Sequence, residues 1–172
     1  VAKHRNLIQN YGLFWDRDQV RWKGSGAGLW GFPATDDQGR LRSAKSRGDE
    51  VDLRGQVGIY ALYDAEFRLL YAGKVGGGKG KNTLFVRLKQ HGTPLGRTRG
   101  LAARWRYFSW FGVLRVLKGE KRLAEPSDGK LTTRGDILNA LEAVVIEIAA
   151  PDLNRQGGQL GGATEYLQYT AD

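Results

Sequence analysis

Two short β-prone runs separated by three turn residues constrain the fold of this 172-residue chain more than any other feature. Residues 56–63 carry Val57, Ile59, Tyr60, Leu62 and Tyr63, residues 67–72 form the second run, and Asp64-Ala65-Glu66 lies between them. That spacing predicts an antiparallel hairpin. Residues 83–91 then read as a short helix, with Asn82 or Thr83 as cap and Gly92 as stop. Residues 104–117, rich in aromatic and β-branched side chains, predict a third strand. Residues 136–149 predict a second helix, capped by Thr133 or Asp136 and ended by Pro151. The β-β-α-β-α order predicts an α+β fold with a small antiparallel sheet flanked by helices.

Residues 1–50 read as an N-terminal extension and residues 51–172 as the core with a Gly-rich tail. The extension carries Trp15, Trp22 and Trp30. Within it, Leu13-Phe14-Trp15 and Val20-Arg21-Trp22 predict a hairpin, and residues 36–52 a polar loop or linker. Target recognition, dimer contacts and packing against the sheet are all open roles for it. No apolar run approaches the roughly 20 residues of a membrane span. The first residues have no apolar signal segment behind them. The absence of cysteine removes disulfides, thiolate metal clusters and a cysteine nucleophile, and suits the reducing cytoplasm, here expected to be prokaryotic.

The net charge of +9 is concentrated. Between Lys74 and Arg122 thirteen Lys and Arg face one acid, Glu120, whereas the remaining residues hold fourteen basic (27 − 13) and seventeen acidic (18 − 1) side chains. Such a block is the footprint of a polyanion partner, or a solvated basic surface. Lys79, Lys81, Arg97, Arg99, Arg104 and Arg106 are the expected phosphate contacts. Residues 76–81 are either a backbone cradle for phosphate or a plain insertion. They lack Walker spacing, which argues against nucleotide hydrolysis. Arg104-Trp105-Arg106-Tyr107-Phe108 interleaves cations with aromatics, as base-stacking surfaces do, although alternate strand aromatics more commonly pack into a core.

The predicted hairpin carries Gly58-Ile59-Tyr60 on one strand and Tyr71-Ala72-Gly73 on the other, followed by Lys74. One tyrosine from each strand can bring two phenols together across the sheet. Arg87 and His91, four residues apart, share a helix face. Two phenols, a lysine, an arginine and an imidazole suit a phosphodiester, because cations stabilise charge growing on phosphorus. Glu142 stands among Leu138, Leu141, Val145 and Ile146. A carboxylate in so apolar a helix needs a partner, either a divalent ion or an arginine.

These residues resemble the GIY-YIG nuclease family. Gly58-Ile59-Tyr60 with Tyr71-Ala72-Gly73 is similar to the signature that names it, Arg87 and His91 to its helix motif, Glu142 to its metal-binding Glu and Asn154 to its late Asn. The likeness spans residues 55–156. Ala72 departs from the usual larger residue, and the glycine run after Lys74 lengthens the link to the helix. The resemblance implies a metal-dependent endonuclease cutting phosphodiester bonds in DNA, with RNA as the alternative. It implies Tyr60 as general base with Tyr71 beside it, Arg87 and Lys74 on the phosphate, and His91 relaying a proton or orienting water. Glu142 would hold one Mg²⁺ or Mn²⁺, and Asn154 would brace the site. Double-strand cutting would need two such sites, hence a homodimer or successive nicks. A nucleic-acid-binding module without cleavage is the reading from another class.

Overall fold

The computed structural model describes residues 7–36, 38–41, 50–76, 82–94, 99–117, 122–124, 143–144, 147–148 and 162–170. Its strands are β1 (Asn10–Asp16), β2 (Trp30–Pro33), β3 (Val51–Asp52), β4 (Gly58–Tyr63), β5 (Leu69–Val75), β6 (Tyr107–Gly112), β7 (Arg115–Val116), β8 (Leu123–Ala124) and β9 (Thr164–Gln168). Helices α1 (Leu84–His91) and α2 (Arg99–Ala102) join them. Seven strands form one mixed sheet in the order β3-β2-β9-β1-β6-β4-β5, and β7 and β8 pair separately.

The expected hairpin is the β4–β5 pair. Asp64 makes its turn by accepting the backbone N–H groups of Glu66 at 3.0 Å and Arg68 at 2.9 Å. Its second carboxylate oxygen holds the Arg68 guanidinium at 2.8 Å. Asp, as a turn residue, competes with the ladder for just these donors. β4 and β6 are buried on both faces, so each reads as a nearly unbroken apolar run. On one face Tyr60, Leu62, Phe108 and Trp110 pack with Leu84 and Leu88 of α1. On the other, Phe111 packs with Ile8, Ala143 and Val144, and the Tyr63 hydroxyl donates to the Ile148 carbonyl at 3.3 Å. Residues 143–144 and 147–148 are helical, within the stretch expected as a second helix, most of which lies outside the described residues.

The small helix-flanked sheet with an appended N-terminal extension is incorrect. The molecule is mostly sheet, and residues 10–16 are a central strand of it. β1 pairs with β6 antiparallel and with β9 parallel. The expected hairpin over residues 13–22 does not form, because after Asp16 the chain turns through a 3-10 segment, Arg17–Gln19, capped by the Asp16 side chain. The linker expected at 36–52 ends in β3, which extends the sheet beside β2. The third strand is shorter than its aromatic run: β6 ends at Gly112 and the chain leaves the large sheet for the β7–β8 pair. Apolar alternation within 8–16 and 164–168 is too short and too interrupted to announce two interior strands.

A buried polar knot holds the centre. Gln56, fully buried, donates to Asn10 Oδ1 at 2.8 Å and to the Leu114 carbonyl at 2.9 Å, and its Oε1 accepts from Leu114 N at 2.9 Å. Its backbone carbonyl accepts from Leu84 N, the first residue of α1, at 2.8 Å. Strand and helix are therefore referenced to one residue.

Two outcomes follow. Removing residues 1–50 strips the sheet of β1, β2 and the Asn10 partner, so the remainder should lack a cooperative thermal unfolding transition. A melt as sharp as that of the intact chain would contradict a central β1. Gln56→Leu removes the four hydrogen bonds of the Gln56 side chain, the fourth being from Val57 N at 3.1 Å, each worth roughly 1–3 kcal/mol once a partner is stranded. Urea unfolding should show a loss of about 3 kcal/mol or more by the same principle.

Candidate active site

The register of β4 and β5 decides which motif residues meet. Tyr60 stands opposite Gly73 and Leu62 opposite Tyr71, so Tyr60 and Tyr71 are diagonal neighbours on one face. Their ring centroids lie 6.0 Å apart. The glycine across from Tyr60 is a spatial requirement, since a Cβ on Gly73 would stand 2.5 Å from the Tyr60 hydroxyl. Gly58 has φ +149°, and a Cβ there would overlap the Phe111 carbonyl oxygen at 1.9 Å. Both glycines of the signature thus serve packing that a larger residue would block.

Helix α1 brings the third and fourth members. Thr83 caps its start, accepting from Val86 N at 3.4 Å, and Gly92 follows His91 at its end. The predicted 83–91 helix is therefore present to within a residue. His91, 4% exposed, places Nε2 2.7 Å from the Tyr60 hydroxyl, and its ring lies 4.9 Å from that of Tyr71. Its Nδ1 has no hydrogen-bond partner among the described residues. Arg87, one turn earlier and exposed, binds Gln90 Oε1 at 3.1 Å and lies beside both tyrosine hydroxyls.

Burial raises the Tyr60 phenol from its ordinary 10.0 to about 12, with Tyr71 adding to the rise, while Arg87 works against it. Burial, then Arg87, lowers His91 below its ordinary 6.5. Both effects disfavour the charged forms, so at neutral pH the pair is a neutral phenol on a neutral imidazole. The phenols draw the Arg87 guanidinium upward, and its charge is fixed.

The end of α1 is held from the N-terminal part of the chain. Arg17 donates to the carbonyls of Ala102 at 2.7 Å, Trp105 at 3.1 Å and Gly92 at 3.4 Å, with its guanidinium over the Trp105 ring at 4.6 Å. Trp105 Nε1 in turn donates to the His91 carbonyl at 3.2 Å. A cation on these last carbonyls complements the helix dipole. Arg17 was not among the expected site residues. No motif marks it, because its targets are backbone carbonyls distant in sequence.

The structure does not gather all expected members. Lys74 stands opposite Ile59, so β alternation puts it on the other face from Tyr60 and Tyr71. Arg106 is not a free phosphate contact: it is paired with Asp16 at 2.8 Å and with Asp18. Trp105 and Phe108 are buried, which rules out base stacking for them and leaves the core reading. Arg104 is exposed, and Arg99 begins α2. Glu142, Asn154, Lys79, Lys81 and Arg97 lie outside the described residues.

As ligands for a hard divalent ion, the gathered side chains fit poorly. Such an ion takes oxygen donors, carboxylates foremost, and the cluster offers two phenols, an imidazole and a guanidinium cation. No group of three or more His, Cys, Asp or Glu suited to a metal occurs among the described residues. No helix among them is long and apolar enough to cross a membrane. Comparison of the chain with protein-family models, with curated proteins and with solved structures finds no match in any of the three.

The buried pair makes stability pH-dependent in two windows. The unfolded chain binds more protons at His91 below pH 6.5, so stability should fall as pH drops through that value. Between pH 10.0 and about 12 the folded chain holds the Tyr60 proton that the unfolded chain releases, so stability should fall as pH rises there. Tyr60→Phe should remove one late-ionising phenol from an ultraviolet tyrosinate titration and flatten its share of the alkaline loss. A Tyr60 that ionises at 10.0 would mean that the phenol is solvated.

Proposed function

We propose that the chain is a phosphodiester-cleaving endonuclease, with DNA the first substrate to test, working from the face of the sheet that carries Tyr60. One observation carries this reading: Tyr60, Tyr71, Arg87 and His91 come together from two strands and a helix, with Tyr60 hydrogen-bonded to His91 and Arg87 beside both phenols. The concentrated positive charge between Lys74 and Arg122 and the likeness to the GIY-YIG signature support it.

Our reading divides the labour differently from the sequence expectation. Tyr60 has no exposed surface, and burial lifts its phenol to about 12, a poor starting point for a general base at neutral pH. Its work is to fix His91 and, through the ring, Tyr71. Tyr71 is only half-buried and is the phenol placed to meet a water or a phosphate oxygen. Arg87 has the fixed charge and the reach to hold a non-bridging oxygen while negative charge builds on it. His91, kept neutral, can take or return a proton through the Tyr60 hydroxyl.

In our reading a divalent ion, Mg²⁺ or Mn²⁺, would act as Lewis acid on the same phosphate. Glu142 is the carboxylate proposed to hold it, since the gathered side chains supply none. Asn154 would brace the site. A cytoplasmic setting suits a cysteine-free chain. Double-strand cutting would call for two copies.

The test is cleavage of supercoiled plasmid, single-stranded DNA and RNA in Mg²⁺, Mn²⁺ or EDTA. Arg87→Ala should cut roughly 10²–10³-fold more slowly, the usual loss for one donor to a charged transition state. Tyr71→Phe should lose more turnover than affinity, and Glu142→Ala should lose the metal-dependent rate. Salt-sensitive binding without cutting on any substrate would mean that the cluster holds phosphate without cleaving it.

A further inference from the structure

A concave site lies on the sheet away from the β4–β5 edge. The cavity has a volume of about 230 Å³ and is walled by Trp15, Trp30 and Tyr169, with Arg21 and Glu50 as its charged members. That is below the roughly 300 Å³ at which pockets for drug-sized ligands begin, so it suits a single ring system. The walls are fixed. Trp30 Nε1 donates to the Gly26 carbonyl at 3.2 Å, and Trp15 Nε1 to the Tyr166 carbonyl at 3.0 Å. Tyr169 N donates to the Trp30 carbonyl at 3.0 Å, which holds the C-terminal segment against β2.

The loop over it is bare where these side chains lie. A Cβ on Gly26 would stand 2.6 Å from Arg21 Nη1, and one on Gly28 would stand 2.7 Å from Trp30 Nε1. The loop is pinned at both ends, Gly28 N donating to the Arg21 carbonyl and Ala27 N to that of Gly24, each at 3.1 Å. Neither Arg21 nor Glu50 forms an ion pair with a described residue. Flat indole and phenol walls, and a guanidinium and a carboxylate without an ion-pair partner among the described residues, therefore meet at one small cavity.

A fitting ligand is a small flat ring that offers acceptors to Arg21 and donors to Glu50. Among nucleobases guanine answers both demands. Its O6 and N7 accept from arginine, and its N1–H and exocyclic N–H lie side by side, matching the two oxygens of one carboxylate. Adenine offers no such pair of adjacent donors. In a duplex the N1–H edge is taken by cytosine, so only an unpaired base can use it. We propose that this cavity reads an unpaired guanine of a nucleic-acid strand. The source of the base rests on the nuclease reading above, whereas the chemistry of the cavity does not.

Trp15 and Trp30 report on occupancy by their fluorescence. The intact chain is titrated with guanosine monophosphate and with the adenosine and cytidine monophosphates, alongside Glu50→Gln and Arg21→Gln, each checked for native circular dichroism. Saturable quenching by guanosine monophosphate is expected at roughly tenfold lower concentration than by the others. Glu50→Gln should abolish that preference, because an amide offers only one acceptor oxygen to the two N–H groups. No saturable quenching, or equal affinities untouched by Glu50→Gln, would overturn the assignment. Because the titration contains no cleavage step, guanine binding by a chain that cuts nothing would count against the nuclease alone. Cleavage without discrimination among the nucleotides would count against the pocket alone.

Discussion

Everything in the sheet depends on β1 lying between β6 and β9. Residues 10–16 pair with residues 107–112 on one side and meet residues 164–165 on the other, so both ends of the described chain converge in the middle of the sheet. Parallel pairing of β1 with β9 cannot be made locally, since it closes a loop of more than a hundred residues. Folding must meet that entropy before the two interior strands gain their partners, which places the molecule among slow, high-contact-order topologies. The buried Gln56–Asn10–Leu114 knot stands at the same seam and specifies its register, because the Gln56 amide is fully satisfied only with Asn10 and Leu114 beside it.

The site inherits its rigidity from this arrangement. Tyr60 rises from a strand enclosed on both faces, and His91 ends a helix whose first residue is bonded to Gln56 and whose last carbonyls are held by Arg17 and Trp105. None of these supports belongs to the Gly-Ile-Tyr or Tyr-Ala-Gly motif. Burial keeps the phenol and the imidazole neutral, and the single fixed charge, on Arg87, sits at the solvent side. An anion approaching the cluster meets a cation first and neutral hydrogen-bonding groups behind it.

The hairpin, its Asp64 turn and the capped helix ending at Gly92 were legible in the sequence. Each is specified by neighbours a few residues apart: turn chemistry at 64–66, a cap at Thr83, a glycine after His91. The meeting of Tyr60 with Tyr71 and the shared helix face of Arg87 and His91 were legible for the same reason, from strand and helix periodicity. Lys74 departs from expectation within this local range as well: one residue beyond Gly73 is the opposite face of the strand, so adjacency in sequence does not put it with the tyrosines.

What the sequence determined by itself, then, is a set of local elements and the residue types they carry, because turns, caps and periodicity are short-range physics. The tertiary structure alone decided that residues 10–16 and 30–33 are interior strands of the sheet. It also decided that Arg106 is spent on Asp16 and Asp18, that Arg17 braces the end of α1, and that Trp15, Trp30 and Tyr169 wall one cavity. Those pairings join residues about ninety to a hundred and fifty positions apart. No pattern within a strand's or a helix's length encodes them, since they arise only when the interior strands find each other and the remaining side chains take the partners left within reach.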